Sequence, residues 1–384
     1  MPAPDSAQQA HMDAMLAALR RYIAERGGWI GFDEYLDQVL YAPGLGYYSA
    51  GATKLGAGGD FTTAPEISPL FGACIARQCA PLLREDGVLL ELGAGSGALA
   101  EVLLTRLADL DALPAHYLIL EVSADLRDRQ RARLSRLPPE LHARVRWLDA
   151  LPQRPLRGII LANEVADALP FRCFAVHSGG YAERGVTMDA AGGVGWSERP
   201  ASLALQTEIT RLEESLGQPF AAGYHSELCL RAGPWVAALA ATLEAGCLLL
   251  LDYGLGRGEY YHPQRHSGTL CCHFRHRAHE DPFLYPGLQD ISAWVDFTTI
   301  AESASAAGLE VAGYCTQAAF LLGAGIDAEL AIERTPLDRA RAASEARSLL
   351  MPGEMGETFK AMLLSRGPAP AMAAFGLQDL RRLL

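Results

Sequence analysis

The fold is decided by residues 88–97, Val-Leu-Leu-Glu-Leu-Gly-Ala-Gly-Ser-Gly, after which a helical pattern begins at Ala98. The apolar run is typical of a buried parallel strand. The three glycines at alternate positions predict a tight turn that allows close approach of the backbone, followed by a helix N-terminus. A strand, a turn without side chains and a helix N-terminus together form a ligand site. We therefore expect a small molecule to bind where this strand passes into its helix.

The acid in this stretch, Glu91, indicates which ligand the turn would hold. Gly93, Gly95 and Ala98 also fit G-x-G-x-x-G/A, the dinucleotide pattern, which keeps NAD open as an alternative. A carboxylate beside the turn would repel a pyrophosphate, whereas it would attract a cation. The ammonium and sulfonium groups of S-adenosyl-L-methionine (SAM) meet that requirement. We favour SAM over NAD, and both over a turn without a ligand.

Length, charge and the N-terminus exclude several classes of protein. The 384 residues are enough for one large domain with insertions or for two domains. A net charge of −12 disfavours nucleic acid and anionic membrane surfaces as partners. No apolar run approaches the roughly 20 residues of a membrane span, and residues 1–10 lack the apolar core of a signal peptide. We expect a cytoplasmic protein without membrane insertion.

The eight cysteines form no C-x-x-C pair, which indicates free thiols rather than a disulfide framework. One short segment invites a zinc interpretation. Its candidate ligands are Cys271, Cys272, His273, His276 and His279. The segment lacks a second ligand pair of standard spacing, and its two arginines would disfavour a dication. We expect no metal.

From residue 87 onward, predicted strands alternate with predicted helices, which favours a parallel sheet covered on both faces. The predicted strands are 88–92, 117–122, 145–148, 159–162, 247–251, 309–314 and 359–364. The predicted helices include 98–110, 124–137 and a short one before Pro170. Residues 176–199 read as β-hairpins, residues 254–290 as a long loop, and Thr63 to Glu66 as a capping box.

Acidic residues follow nearly every predicted strand of the sheet. They are Glu91, Glu121, Asp149, Glu164 with Asp167, and Asp252. Ligands bind beyond the carboxyl ends of parallel strands, and like charges meeting there repel unless a cationic or hydroxyl-rich ligand lies among them. Glu121 suits the hydroxyls of a ribose. Asp149 could instead open a turn, Asp167 could be a surface residue, and Glu66 could be a helix cap.

Several segments resemble the MidA family. They are residues 59–68 (Gly-Asp-Phe-Thr-Thr-Ala-Pro-Glu-Ile-Ser), 91–97, 162–170 (Ala-Asn-Glu-Val-Ala-Asp-Ala-Leu-Pro), 290–297 (Asp-Ile-Ser-Ala-Trp-Val-Asp-Phe) and 355–360. The matches run in order over nearly the whole chain, with Trp294 and Ala166 as small departures. The family consists of class I SAM-dependent methyltransferases, and its mitochondrial members are protein arginine methyltransferases that assist assembly of respiratory complex I.

The resemblance implies an α/β fold: a Rossmann-like seven-stranded sheet with an added lobe from the N-terminus and insertions. We expect an N-terminal helical segment with a covering loop at 1–80 and a SAM-binding core at 81–178 plus 244–365. The remaining expected units are a hairpin and helical insertion at 179–243, a loop insertion at 254–298 and a C-terminal tail at 366–384.

The resemblance also implies the site residues. Those expected to hold SAM are Glu91, Gly93, Ala94, Gly95, Gly97, Glu121, Val122, Asp149, Ala150 and Asn163. Within this set, Glu91 and the glycines hold the methionine portion, Glu121 holds the ribose, and the residues around Asp149 face the adenine. Asn163 and Glu164 line the transfer site, with residues 59–68 closing over it.

A guanidinium is a poor nucleophile because its pKa lies above about 12. A pair of carboxylates can hold it in two hydrogen bonds and accept the proton that it loses. We expect Glu164 in that role, with Asp167 or Glu66 as the second carboxylate. The expected acceptor is an arginine of a protein, for instance a respiratory complex subunit. Another acceptor nitrogen, an NAD-linked oxidoreductase and a SAM-binding assembly protein with little catalysis stay open.

Overall fold

The computed structural model describes residues 1–50, 63–83, 87–189, 192–332, 334–368 and 372–384. The helices are α1 (Ser6–Glu25), α2 (Phe32–Tyr41), α3 (Ala64–Ile67), α4 (Pro69–Leu83), α5 (Ala98–Asp109), α6 (Ala124–Leu134), α7 (Pro139–His142), α8 (Leu203–Leu216), α9 (Ala232–Thr242), α10 (Arg257–Tyr260), α11 (Phe297–Ala306), α12 (Gln317–Gly323), α13 (Ile326–Ala331) and α14 (Pro336–Leu350). The strands are β1 (Ile30–Gly31), β2 (Val88–Leu92), β3 (His116–Leu120), β4 (Val145–Leu148), β5 (Leu156–Asn163), β6 (Arg172–His177), β7 (Gly180–Met188), β8 (Val194–Pro200), β9 (His225–Leu228), β10 (Leu243–Leu255), β11 (Cys271–Phe274), β12 (Arg277–His279), β13 (Asp290–Ser292), β14 (Val295–Asp296), β15 (Glu310–Thr316) and β16 (Phe359–Arg366).

The central sheet has the strand order β15-β16-β10-β5-β2-β3-β4. Strands β10, β5, β2, β3 and β4 are parallel, whereas β16 pairs antiparallel with both β10 and β15. The short β14 adds to the end of β10. The predicted α/β fold with a seven-stranded sheet is therefore confirmed, and the two residues of β14 extend it locally.

Both faces of the central sheet are buried, as its apolar strands predict. Leu89 packs into the cluster formed with α4, α5 and α12, whereas its neighbour Leu90 packs into the cluster formed with α9 and α11. Successive residues of a strand point to opposite faces, so a strand that is covered on both sides must be apolar throughout.

One glycine of the sheet allows an unusually close approach between two strands. Gly158 in β5 has φ 142°, and a Cβ atom there would lie 2.1 Å from the carbonyl oxygen of Val88 in β2. No side chain fits in that space. The neighbouring strands can therefore adopt this register only because residue 158 is a glycine.

The added lobe is an antiparallel sheet built from two separate parts of the chain. Its strands run β1-β7-β6-β9, with β8 on the outer side of β7. Ile30 of β1 lies opposite Val186 of β7, so the N-terminus completes a sheet formed mainly by the insertion. Strand β6 belongs to this lobe, and the predicted core boundary at residue 178 therefore falls after the lobe has begun.

Other local predictions differ from the structure. The region predicted as a long loop, 254–298, contains α10 and the small sheet β12-β11-β13. Residues 164–169 form turns rather than the short helix predicted before Pro170. Thr63 makes no side-chain capping bond to α3, and the reciprocal bond of a capping box is also missing because the Glu66 side chain accepts from Ser96 instead. Of residues 59–68, which were expected to close over the transfer site, positions 59–62 lie outside the described residues.

None of the helices in the described ranges is both long enough and apolar enough to span a bilayer.

Candidate active site

A cavity of about 630 Å³ opens beyond the carboxyl ends of β2, β3 and β5. Its volume lies within the range of small-molecule sites. The predicted site residues that line it are Glu66, Glu91, Gly93, Ala94, Gly95, Glu121, Val122, Asn163, Glu164 and Asp167. Three predicted residues, Gly97, Asp149 and Ala150, do not line it.

The glycine turn after β2 needs glycine at all three positions for its backbone. Gly93, Gly95 and Gly97 have φ values of 59°, 54° and 83°, a region that other residues rarely occupy. Gly93 and Gly95 line the cavity. Gly97 instead precedes α5, and a Cβ atom there would lie 3.4 Å from the Cα atom of Gln130. Gly97 therefore permits close packing of the turn against α6.

Glu91 is a buried carboxyl at one end of the cavity. It accepts a hydrogen bond of 2.7 Å from the hydroxyl of Tyr117. Burial raises its pKa to about 7, the bond from Tyr117 opposes that shift, and the charge of Glu121 adds to it. A cation bound in the cavity would therefore favour the ionised form of Glu91. This arrangement fits the positively charged methionine end of SAM.

Glu121 is held in place by two donors at the end of β3. Its Oε1 atom accepts a hydrogen bond of 2.9 Å from the backbone of Ser123, and its Oε2 atom accepts one of 3.1 Å from the side-chain amide of Gln130. Burial raises the pKa of Glu121. A carboxylate has about four acceptor positions, so capacity remains for the hydroxyls of a ribose. Glu121 therefore also fits SAM.

Asp149 lies outside the cavity. Its side chain is 92% exposed and pairs with the guanidinium of Arg127 at 2.7 Å. Strand β4 ends at Leu148, and it is Leu151 rather than Asp149 or Ala150 that lines the cavity after the turn. An apolar side chain suits the face of a base better than a solvated carboxylate does. The structure therefore places Leu151, and neither Asp149 nor Ala150, at this side of the cavity.

Glu164 occupies a strained backbone position directly after β5. Its φ is 52°, uncommon for a residue other than glycine, and its backbone N–H donates to the carbonyl of Leu251 at 2.8 Å. The side-chain amide of Asn163 donates a hydrogen bond of 3.2 Å to Oε1. Burial raises the pKa of Glu164 to about 8, and the charge of Asp167 adds to the shift. The carboxyl is therefore poised to hold or release a proton near neutral pH.

Asp167 lies buried beside Glu164. The hydroxyl of Tyr253 donates a hydrogen bond of 2.5 Å to its Oδ2 atom, whereas its buried Oδ1 atom has no hydrogen-bond partner among the described residues. Burial raises the pKa of Asp167 to about 7, the bond from Tyr253 opposes this, and Asp290 adds to it. A buried acceptor without a donor is costly, so a donor from a ligand would be stabilised here.

Asp252 shapes the turn that presents Asp167. Its Oδ2 atom accepts hydrogen bonds from the backbone N–H groups of Val165, Ala166 and Asp167, at 3.2, 2.9 and 3.2 Å. These bonds replace the ones that a helix would have formed. They explain why the chain between β5 and Pro170 turns instead of continuing as a helix.

Glu66 has partners of its own. It accepts a hydrogen bond from the hydroxyl of Ser96 and lies 3.6 Å from the guanidinium of Arg133. These contacts join α3 to the glycine turn. Because Glu66 already faces a cation, Asp167 is the better second carboxylate beside Glu164.

Sequence reasoning missed several cavity residues from both the lobe and the core. They are Asp37 and Tyr41 of α2, Tyr48 after it, Arg231 directly before α9 and Trp235 within α9. The tyrosine-rich stretch after α2 was a visible signal for Tyr48. Nothing in the local pattern indicates that Arg231 reaches Asp37.

The segment weighed as a zinc site forms a strand pair instead. Cys271 and His273 lie on β11, with the Sγ and Nε2 atoms 3.8 Å apart. Across the described ranges, no three cysteine, histidine or acidic side chains are grouped so that they could hold a metal ion.

Comparisons with known proteins agree with this site. Residues 74–315 match the model of a family of S-adenosyl-L-methionine-dependent methyltransferases. The mitochondrial protein arginine methyltransferase NDUFAF7 of Danio rerio is 30% identical over 370 residues, covering 87% of this chain and 82% of the relative. The human protein of that name is 29% identical over 88% of this chain and 80% of the relative.

A solved structure resembles the whole chain. It is a superfamily member from Burkholderia thailandensis bound to S-adenosyl-homocysteine, with 44% identity, a TM-score of 0.93 and 100% coverage of both chains. A native structure of a superfamily protein from the same organism gives 44% identity and a TM-score of 0.90. The prediction of SAM as cofactor is confirmed, and the NAD-linked alternative is set aside.

The prediction of a cytoplasmic protein is contradicted, because the curated relatives are mitochondrial proteins. It rested on the composition of the first residues and on charge, neither of which determines the compartment in which a folded domain works. The predicted fold, cofactor and reaction class agree with the family model, the relatives and the solved structures alike. The chain belongs to the S-adenosyl-L-methionine-dependent methyltransferase family that includes the NDUFAF7 proteins.

Proposed function

We propose that this methyltransferase acts on an arginine guanidinium of a protein. The observation that carries the proposal is the pair of carboxyls of Glu164 and Asp167, which line the cavity without an ion-pair partner among the described residues. Two adjacent carboxylates without a cation repel each other, and a guanidinium relieves that repulsion with several hydrogen bonds at once. The names of the curated relatives support the same acceptor.

At the cofactor end, Glu91 and the turn at Gly93 and Gly95 would hold the ammonium and sulfonium charges of SAM. Glu121 would hold the ribose, and Leu151 would pack against the adenine. When bound, SAM supplies a methyl group on a positively charged sulfur. These residues contribute by aligning the methyl group with the acceptor, and such alignment can lower the barrier to transfer by about 7–11 kcal/mol.

At the acceptor end, Glu164 and Asp167 orient the guanidinium, and Asn163 holds the Glu164 side chain. As the guanidinium nitrogen forms its bond to the methyl carbon, the bond from that carbon to sulfur breaks. The proton lost by the nitrogen passes to the carboxylate of Glu164. Because burial raises the pKa of Glu164 to about 8, this carboxylate is a stronger base than an exposed one.

The test compares Glu164→Gln with the exposed control Glu140→Gln. Each protein is incubated with methyl-labelled SAM and an extract of cells that lack this protein, and hydrolysed protein is analysed for methylated arginine. Wild type and the control are expected to form methylarginine. Glu164→Gln is expected to bind S-adenosyl-homocysteine within about threefold of wild type and to transfer no methyl group.

Three results would overturn the proposal. Undiminished transfer by Glu164→Gln would exclude the role given to this carboxyl. Labelled protein with methylated lysine or histidine but no methylarginine would exclude the acceptor, and a protein that labels nothing would act as an assembly protein instead. A respiratory complex subunit is the partner that the MidA resemblance favours, and peptides that lose methylarginine when the gene is deleted would identify it.

A further inference from the structure

The lobe faces the acceptor end of the cavity with two tyrosine rings. Tyr41 ends α2, and Tyr48 follows in the turn after it. The ring centroids lie 5.5 Å apart with an interplanar angle of 25°, and both residues line the cavity. The two rings therefore form one aromatic wall, contributed by the lobe rather than by the SAM-binding core.

Both hydroxyls of this wall are engaged, one by the chain after β5 and one by the small sheet that contains β13. The hydroxyl of Tyr41 donates a hydrogen bond of 2.6 Å to the carbonyl of Ala168, and that of Tyr48 donates one of 2.7 Å to Oδ1 of Asp290. Burial raises the pKa of both tyrosines well above the ordinary value, so both stay neutral. With the hydroxyls engaged, the ring surfaces are what a ligand meets.

The aromatic wall and the carboxyl pair of Glu164 and Asp167 lie at the same end of the cavity. Tyr41 is anchored at Ala168, the residue next to Asp167, and the charge of Asp167 acts on both tyrosines. An aromatic face beside carboxylates favours a cation. A guanidinium gains more than an ammonium because it is planar, stacks on rings and binds carboxylates with two parallel hydrogen bonds.

A bidentate ion pair holds α2, which carries Tyr41, against the core. The guanidinium of Arg231 donates to both carboxylate oxygens of Asp37, at 2.7 and 2.5 Å. Both residues also line the cavity. The position of the wall relative to the carboxyls is therefore set by contacts on both sides of it.

We infer that Tyr41 and Tyr48 determine acceptor specificity, and that they make the site select a guanidinium over an ammonium ion. The inference rests on the proposed function and adds to it a role for the lobe: the core holds SAM, and the lobe distinguishes arginine from lysine. Neither tyrosine takes part in the transfer of the proton.

The test measures binding of small probes to the full-length protein saturated with S-adenosyl-homocysteine. The probes are propylguanidinium, butylammonium and neutral propylurea, titrated by calorimetry or ligand-observed NMR. Wild type is expected to bind propylguanidinium at least tenfold more tightly than butylammonium. Tyr41→Leu and Tyr48→Leu are expected to reduce that preference below threefold, with S-adenosyl-homocysteine affinity within twofold of wild type.

Four further variants complete the test. Tyr48→Phe keeps the ring and is expected to keep the preference, whereas Tyr181→Leu, on β7 and outside the cavity lining, is the matched control. Tyr41→Met and Tyr48→Met replace any leucine variant that fails to bind S-adenosyl-homocysteine.

The outcomes separate this inference from the proposed function. If the leucine and methionine variants keep the tenfold preference while Glu164→Gln loses probe binding, the tyrosines do not select the acceptor and the proposed function stands. If wild type binds neither cation better than propylurea, the proposed function itself fails. Loss of the preference in the tyrosine variants alone supports the inference.

Discussion

The side-chain amide of Gln130 donates hydrogen bonds both to Oε2 of Glu121, at 3.1 Å, and to the carbonyl of Gly95, at 2.9 Å. Its own oxygen accepts a hydrogen bond from the indole of Trp147. One fully buried glutamine in α6 therefore joins the glycine turn to the acid that is placed for the ribose. The two halves of the cofactor site are held in register by a residue that does not line the cavity.

Replacing Gln130 is expected to weaken cofactor binding. Gln130→Met keeps the length of the side chain but removes the amide that donates both hydrogen bonds. Glu121 then loses the donor that orients it, and the glycine turn loses its hydrogen bond to α6. We expect the Kd for S-adenosyl-homocysteine to rise about tenfold, which corresponds to about 1.4 kcal/mol. Calorimetric titration measures it, with the exposed Gln264→Met as control. Equal affinities for the two variants would show that Gln130 does not position the site.

Glu164 is expected to make the protein less stable as the pH rises. Its pKa is raised to about 8 in the folded protein, against an ordinary value of 4.5. Between these values the folded state holds a proton that the unfolded state has lost, so the free energy of unfolding falls with rising pH across this window. Denaturant unfolding from pH 4 to pH 9 measures it.

Glu164→Gln removes that contribution. We expect the variant to match wild type near pH 4 and to exceed it by about 1–2 kcal/mol at pH 9, discounted because the side chain is partly exposed. A constant difference between wild type and variant at all pH values would contradict the raised pKa.

Binding of a cationic acceptor is expected to strengthen with pH. Propylguanidinium stays charged throughout, whereas Asp167 and Glu164 have pKa values raised to about 7 and about 8 and must ionise to hold it. We expect about a tenfold gain in affinity from pH 6 to pH 8.5, with proton release detected by calorimetry in buffers of different ionisation enthalpy. Neutral propylurea is the control, and affinity for propylguanidinium that is independent of pH would exclude these two groups as its ligands.

Gly158→Ala is expected to destabilise the central sheet severely. Its Cβ atom would lie 2.1 Å from the carbonyl oxygen of Val88, so β5 and β2 must separate. We expect a loss of about 3 kcal/mol or more in the free energy of unfolding. Gly179→Ala is the matched control, since a Cβ atom there meets nothing within 4 Å. Similar stabilities for the two variants would show that the sheet relaxes without cost.

The strands of the SAM-binding core could be predicted because the sequence patterns that indicate them are local. The strands at residues 88–92 and 145–148 were predicted with the observed bounds, since apolar runs between clear turn signals admit few alternatives. The carboxyl ends of parallel strands share one edge. The acids after β2, β3 and β5 could therefore be placed together without knowing any contact.

The remaining parts depend on contacts between distant residues. Asp252 rearranges the chain at residues 165–167 through three hydrogen bonds, which overrides the helical preference of that stretch. Glu66 leaves its capping position because Ser96 and Arg133 lie within reach only in the folded protein. Asp149 lies outside the cavity, where its carboxylate pairs with Arg127 of α6, a contact across 22 residues of sequence that no local pattern indicates.

The pairing of Ile30 with Val186 also has a consequence for how the protein is made. A ribosome that adds about 5–20 residues per second needs roughly ten to thirty seconds to reach Val186 after it has added Ile30. During that interval the apolar sides of α1 and α2 have no sheet to cover them. The nascent chain therefore exposes the apolar faces of these helices until the strands of the lobe have been synthesised. It should depend on holding chaperones most strongly at this stage of synthesis.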